Sequence, residues 1–332
     1  MAKTRWGIIS TAKIGTGKVI PGIQRAPSAE VVAIASRDLA RAQEAAKELG
    51  IPKAYGSYEE MLADPDIDAV YNPLPNHLHV PLTLQAVAAG KHVLCEKPIA
   101  LNAEEAAQLL ALPQDRLVME AFMVRFHPQW LRAREAARSG ELGEVRAIQC
   151  FFSYFNNDPA NIRNQLDIGG GGIMDIGCYP IVAGRFIFAA EPQRVVALVD
   201  RDPDTGVDRL ASAILDFGGG RRAEFTCSTQ LTPLQRVDIV GTRKRLEITI
   251  PFNAPQMEAV TVYTDDGSKL GDASAVAEVI DPVDQYAEQG EAFSKAVRGE
   301  ITLPYGPADA VQNMKIIDAL FRSEKSGAWE RV

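Results

Sequence analysis

Residues 5–15 read RWGIISTAKIG: a short apolar run, a turn of small residues, and the opening of a helical pattern. In a dinucleotide-binding fold, the turn after the first strand brings backbone N–H groups at a helix N-terminus to a pyrophosphate. Ser10, Ala12 and Gly15 occupy the three fingerprint positions, so only the last is glycine. Taken alone, these residues leave a plain strand-to-helix turn equally open. Their surroundings favour the dinucleotide reading.

Four further apolar runs follow, VVAIAS (31–36), IDAVYN (67–72), HVLCE (92–96) and RLVMEA (116–121). Helical patterns separate them. LARAQEAAKEL (39–49) stops at Gly50, SYEEML (57–62) offers Ser57 and Glu60 as a capping box, and LTLQAVAAG (82–90) ends on Gly90. Near-continuous Val, Ile and Leu suits strands buried on both faces. A doubly wound parallel sheet is therefore expected for residues 1–124. The texture then changes to runs that alternate polar and apolar residues: 145–156, 194–200, 210–217, 222–230, 236–250 and 259–265. Two helical stretches, 283–299 and 309–327, close the chain. The expected fold class is α/β, with an N-terminal Rossmann doubly wound sheet over 1–124. A C-terminal α/β domain over 125–332 would carry a large, mostly antiparallel open sheet.

With 332 residues, 46% of them hydrophobic, the chain has ample core for two domains. A formal charge of -8 argues against nucleic acid and anionic membranes as partners, because both require a basic surface. Cys95, Cys150, Cys178 and Cys227 lack the paired spacing of a structural zinc site and read as reduced thiols, and no metal role is expected. The opening MAKTRWGIIS enters a strand without the apolar stretch of a secretory signal, and no run reaches transmembrane length. A cytoplasmic location is the expectation.

At the end of the second run stand Ser36 and Arg37, followed by Asp38. A hydroxyl and a guanidinium suit the 2′-phosphate of NADP, which an acid at position 36 would repel. NADP is expected on that ground, with NAD possible through Asp38. Candidate cofactor residues are Ser10, Thr11, Ala12, Ile14, Gly15, Ser36, Arg37, Pro73, Leu74, Asn76, His79, Glu96 and Lys97.

Ligands of open α/β sheets bind outside the carboxyl ends of the strands, and Glu96, Lys97 and Pro98 sit at one such end. Pro98 constrains the loop, by a cis peptide in one reading. Further on, GGGGIMDIGCYPI (169–181) supplies glycines for close backbone approach, then Asp175 and Tyr179 about one turn apart. Pro180 belongs in a first turn or at a kink.

AGKHVLCEKP followed by GGGGIMDIGCYPI resembles the glucose–fructose oxidoreductase, inositol dehydrogenase and rhizopine-catabolism (Gfo/Idh/MocA) family. NHLH (76–79), MVRFHP (123–128) and NMKIIDALFRSEKSG extend the resemblance over nearly the whole chain. It implies a catalytic Lys97. At the second catalytic position, histidine in inositol dehydrogenase-like members, this chain carries Tyr179, similar to NADP-dependent D-xylose dehydrogenases and dimeric dihydrodiol dehydrogenases. The resemblance also implies oligomers, dimers or tetramers, built through the C-terminal sheet. Ser10 and Ala12 depart from the more usual glycines, and glucose–fructose oxidoreductase's export signal and N-terminal arm have no counterpart here, so a freely exchanging cofactor is expected.

The chemistry expected is hydride transfer between a sugar carbon and nicotinamide, with Tyr179 as acid/base, Lys97 favouring the phenolate, and Asp175 orienting the pair, binding a second hydroxyl or capping a helix. Arg125, Asn157 and Arg163 join Lys97, Asp175 and Tyr179 as candidate substrate residues, while His79, Arg125 and His127 have structural readings beside functional ones. The substrate expected is a small sugar or polyol, an aldose of D-xylose or glucose type. Alternatives are a trans-dihydrodiol, an inositol or a nucleotide sugar, as dehydrogenase or ketoreductase; a non-enzymatic NADP redox sensor is the reading from another class.

Overall fold

The computed structural model describes residues 3–332; the part of the N-terminal reading that falls on residues 1 and 2 lies outside the described residues. The chain divides into two compact units, Met1–Met123 with Asp284–Val311, and Val124–Val283 with Gln312–Val332.

The first unit holds six parallel strands: β1 (Thr4–Ile9), β2 (Ala29–Ala35), β3 (Lys53–Tyr55), β4 (Ala69–Asn72), β5 (His92–Cys95) and β6 (Val118–Glu120). Their order is β3-β2-β1-β4-β5-β6, the doubly wound arrangement whose order reverses beside β1 and so opens a crevice at the strand ends. The helices are α1 (Ile20–Arg25), α2 (Leu39–Leu49), α3 (Tyr58–Leu62), α4 (His79–Ala88) and α5 (Ala103–Ala107). Ser57 caps α3 by accepting from the Glu60 N–H, and Gly50 ends α2 in a left-handed conformation, both as the sequence pattern predicts. Helix α4 starts at His79, three residues ahead of the expected 82, because the turn at Asn76–Leu78 leads directly into it.

One boundary differs from the single cut expected at 124/125. A later helix, distant in sequence, completes the first unit. Gly22 on α1 lies so close to this segment that an added Cβ would stand 2.6 Å from Tyr286 Cβ. The indole Nε1 of the fully buried Trp6 donates to Ser294 Oγ at 3.0 Å, and its ring meets Phe293 at 5.3 Å between centroids. Burying an indole requires a partner for its N–H, and only the distant segment supplies one here.

The second unit has α6 (Pro128–Arg138), α7 (Cys178–Phe188) and nine strands: β7 (Val145–Phe155), β8 (Arg194–Arg201), β9 (Asp208–Asp216), β10 (Arg222–Ser228), β11 (Gln230–Gly241), β12 (Arg245–Ile248), β13 (Val260–Asp265), β14 (Val276–Ile280) and β15 (Glu330–Arg331). The helix that completes the first unit is α8 (Gln285–Val297), and α9 (Pro307–Ser326) crosses the division. The sheet order is β14-β13-β12-β11-β7-β10-β9-β8-β15, and among these pairs only β7 and β10 run parallel. The run 236–250 resolves into two strands turning at 242–244, and β11 begins earlier, at Gln230, with a register shift between Gln230 and Leu234 that accommodates Pro233. Among the described residues no helix is long and apolar enough to cross a membrane.

Candidate active site

In the first unit, Ser10 directly follows β1 and holds a φ of 80° without being glycine. That is the first fingerprint position, and the conformation explains why glycine suits it. Thr11 and Ala12 are half-buried in the turn, Ile14 is 37% exposed, and Gly15 opens a wide helical turn over Gly15–Val19 that runs on into α1. An added Cβ on Gly15 would make only ordinary contacts with Tyr71 and Pro73, so packing of the chain itself does not demand glycine there. A helix start without a side-chain cap, beside small residues, fits a dinucleotide pyrophosphate.

At the end of β2, Ser36 is buried and its Oγ accepts from the Asp38 N–H at 3.2 Å. Asp38 Oδ1 in turn accepts from the N–H groups of Ala40 and Arg41, capping α2. This acid is therefore engaged by the backbone. Arg37 is exposed, and burial pushes the Tyr58 phenol up against the opposing effect of the Arg37 charge.

Lys97 follows β5, half-buried, and the Lys97–Pro98 peptide is cis. The apolar strand ends in charges because those charges are held by neighbours. Tyr71, buried on β4, donates to Glu96 Oε1 at 2.6 Å; its phenol is pushed well up by burial and then by Glu96, so it remains a donor. Glu96 Oε2 accepts from the Lys97 N–H, and Glu120 Oε1 accepts from the Ile99 N–H at 2.8 Å. Backbone on both sides of the cis peptide is thus fixed by buried or half-buried carboxylates.

His79 is 1% exposed, with Nδ1 2.7 Å from the Pro98 carbonyl and Nε2 2.6 Å from the Leu74 carbonyl. Burial lowers its pKa to about 4, so near neutral pH the ring is uncharged and donates to only one of these oxygens. Both ring nitrogens face backbone within this unit. Asn72 holds the intervening loop, donating to the His79 carbonyl and accepting from the Leu74 N–H; Pro73 and Leu74 are buried in it and Asn76 is half-buried.

In the second unit, Tyr179 lies in the first turn of α7, directly after a wide helical turn over Ile173–Gly177 that carries Asp175. Pro180 is the third residue of α7, the first-turn placement expected. Tyr179 is 6% exposed, its ring edge-on to Phe152 at 5.8 Å and tilted against Phe252 at 5.2 Å, and Phe252 stacks on Trp130 at 6.1 Å. This cluster fixes the ring. Arg125, 5% exposed, lines a crevice with Tyr179, Trp130 and Phe186.

Asp175 Oδ2 accepts from the Tyr154 hydroxyl at 2.5 Å and pairs with Arg163 Nε at 3.0 Å. Asp175 raises the Arg163 pKa by its charge, while burial and then Asp175 push the Tyr154 phenol far up, so it stays a proton donor. Tyr154 was not foreseen, although two-residue periodicity along β7 puts it on the Phe152 face. Asn157 is exposed just beyond β7. His127 caps α6, its Nδ1 accepting from the Gln129 N–H, and burial lowers it to about 4.

The start of the Asp175–Tyr179 helix is held by an acid from β9. Asp208, 1% exposed, accepts from the Ile173 N–H at 2.5 Å through Oδ2, and Oδ1 has no hydrogen-bond partner. Gly171 takes a φ of 122°, and any Cβ there would overlap Asp208 Oδ1. Its N–H donates to the Arg163 carbonyl, so the glycine run ties the Arg163 turn to the helix start.

The two units carry the pieces of a nucleotide-dependent redox enzyme. Residues 4–124 match the oxidoreductase family with an NAD-binding Rossmann fold, and residues 130–247 match the GFO/IDH/MocA C-terminal domain. The chain belongs to the Gfo/Idh/MocA family and is an NAD(P)-dependent oxidoreductase. It is similar to D-xylose 1-dehydrogenase (NADP(+)) 2 of Haloferax volcanii, 42% identical over 327 residues, covering 97% of this chain and 98% of that one. It is also similar to the trans-1,2-dihydrobenzene-1,2-diol dehydrogenase of Mus musculus, 36% identical over 250 residues and covering 74% of each. Among solved structures, a 3-ketoreductase from Actinomadura kijaniata in complex with NADP and TDP-benzene superimposes with a TM-score of 0.89 at 30% identity, covering 97% of this chain and 98% of that one.

Proposed function

We propose that the protein is an NADP-dependent aldose 1-dehydrogenase, of D-xylose or glucose type, with Tyr179 as acid/base and Lys97 assisting. The observation that carries this reading is a tyrosine, fixed by aromatic packing, on a helix that also bears a paired carboxylate. The 42% identity to an NADP-dependent D-xylose 1-dehydrogenase across nearly the whole chain supports the substrate class. Exposed Arg37 beside buried Ser36, with Asp38 spent on capping α2, supports NADP over NAD.

Ser10, Thr11, Ala12, Ile14 and Gly15 would hold the pyrophosphate, and Ser36 and Arg37 the 2′-phosphate. Bound nicotinamide supplies hydride exchange with the sugar carbon. In oxidation Tyr179 takes the hydroxyl proton, and Lys97 favours the phenolate and donates to the substrate oxygen. In reduction the same phenol returns the proton.

A second reading, a dehydrogenase or ketoreductase acting on a trans-dihydrodiol, an inositol or a nucleotide sugar, is supported by the similarity to a trans-dihydrodiol dehydrogenase and to a 3-ketoreductase. A redox sensor without turnover would have no use for an acid/base tyrosine. We place the protein in the cytoplasm, since all four cysteines are buried thiols. The partners proposed are a sugar or polyol and further copies of the chain, with neither nucleic acid nor membrane. The copies would pack through the nine-stranded sheet, where Leu198 is 79% exposed.

Following nicotinamide reduction with NADP or NAD against D-xylose, D-glucose, other aldoses, myo-inositol and a trans-dihydrodiol tests the reading. NADP-preferring turnover of an aldose is expected. Turnover only with a dihydrodiol moves the assignment to the second reading, and silence in both directions despite NADP binding moves it to a substrate outside the panel or to the sensor.

A further inference from the structure

Asp175 stands one turn from Tyr179, and a bare carboxylate there would work against a phenolate. Like charges disfavour each other, so a base at Tyr179 needs that carboxylate compensated. Arg163 is the group that compensates it. Its Nε lies 3.0 Å from Asp175 Oδ2, the same oxygen that accepts from Tyr154, and its charge also interacts with the Tyr179 phenol. The Asp175 side chain is 14% exposed and that of Arg163 42%, so the pair is screened on one side only.

The backbone holds this arrangement from three sides. The Arg163 N–H donates to Asn161 Oδ1, the Arg163 carbonyl accepts from Gly171 N–H, and Asn164 Nδ2 donates to the Asn156 and Asp158 carbonyls. The turn carrying Arg163 is therefore fastened to the very segment that starts the Tyr179 helix. The inner guanidinium nitrogen of Arg163 is engaged within the protein.

We propose that Arg163 is a positioning residue for Tyr179: clamped by Asp175, it cancels that carboxylate's charge beside the phenol and so keeps Tyr179 able to accept a proton. This rests on Tyr179 being the acid/base. The charged and titratable groups of this unit around the phenol are Asp175 from its own helix, Tyr154 from β7, Arg163 from the turn at Ile162–Asn164, and Arg125 from the segment before α6. Phe152 and Phe252 pack against its ring and carry no charge. Of the two arginines, Arg163 is the one paired with the opposing carboxylate.

The test compares wild type, Arg163→Met, Arg163→Lys and the double variant Arg163→Met/Asp175→Asn. For each, the pH profile of kcat/KM is recorded beside the near-ultraviolet tyrosinate titration of the NADP-bound protein, with the Tyr179→Phe form of the same variant subtracted. In Arg163→Met the midpoint moves alkaline by about one pH unit, the low end for an opposing charge at this range, and the rate on the acid side falls about tenfold. Arg163→Lys and the double variant restore most of it, because either a cation is kept or the uncompensated carboxylate is gone. A rise in KM with both midpoints unmoved would overturn the proposal and make Arg163 a substrate contact. Loss of the midpoint shift in Arg163→Met alongside normal melting would overturn it as well. The tyrosinate titration needs no turnover, so it reads Arg163 even if no aldose is oxidised. Full activity of Tyr179→Phe would instead sink the acid/base assignment.

Discussion

Replacing Gly171 by alanine should damage the second unit more than any ordinary surface substitution. Two costs combine. A φ of 122° is a conformation that residues with a Cβ rarely adopt, at about 1–3 kcal/mol. The new Cβ would also overlap Asp208 Oδ1 and lie 3.0 Å from the carboxyl carbon, forcing that side chain away from the Ile173 N–H. Losing a buried charged hydrogen bond costs about 1.5–3 kcal/mol more. The expected loss is therefore roughly 2.5–6 kcal/mol, a large part of a typical domain's stability. Urea unfolding followed by far-ultraviolet circular dichroism measures it. In an Asp208→Ala background the clash disappears, so Gly171→Ala should there cost only the conformational part, about 1–3 kcal/mol. A single variant within 1 kcal/mol of wild type, or strict additivity with Asp208→Ala, would refute the argued coupling.

Other outcomes follow from the same geometry. Burial lifts the Asp208 carboxyl to about 7, above the ordinary value near 4. The native chain then binds this proton more tightly than the unfolded one, so the group removes stability as pH rises from about 4 to about 7 and leaves its full cost above that. Asp208→Asn should flatten this part of the Tm-against-pH curve, and an unchanged slope in thermal scans would contradict it. Ser10 spends a positive φ that glycine adopts freely; Ser10→Gly should leave NADP affinity within a few-fold and raise stability by up to about 1 kcal/mol. A loss of stability in that variant would contradict the argument from backbone strain.

Local patterns carried much of the fold in the sequence. Strands buried on both faces announce themselves as apolar runs, and five of the six parallel strands did so; β3, three half-buried residues, carries no such signal. The membership of α8 in the first unit was illegible because it rests on Trp6 meeting Ser294 and on Gly22 meeting Tyr286, pairs hundreds of residues apart. Helix capping resolved what Asp38 does, since its carboxylate turns onto its own helix. At the candidate site, the Glu96–Lys97–Pro98 and Asp175–Tyr179 groups stood out because each combines chemical residues with a backbone constraint. Their supports did not. Tyr71, Asn72, Glu120, Tyr154 and Asp208 are polar groups on strands, and only tertiary pairing within their own unit ties each to a candidate segment. Tyr154 alone had a usable signal, its two-residue spacing from Phe152.

The most direct test of the central claim is steady-state oxidation of the best aldose by Tyr179→Phe and Lys97→Met, with NADP binding measured on each. The account predicts that both bind NADP while kcat falls by about two to four orders of magnitude. Near-wild-type kcat in both variants would contradict it.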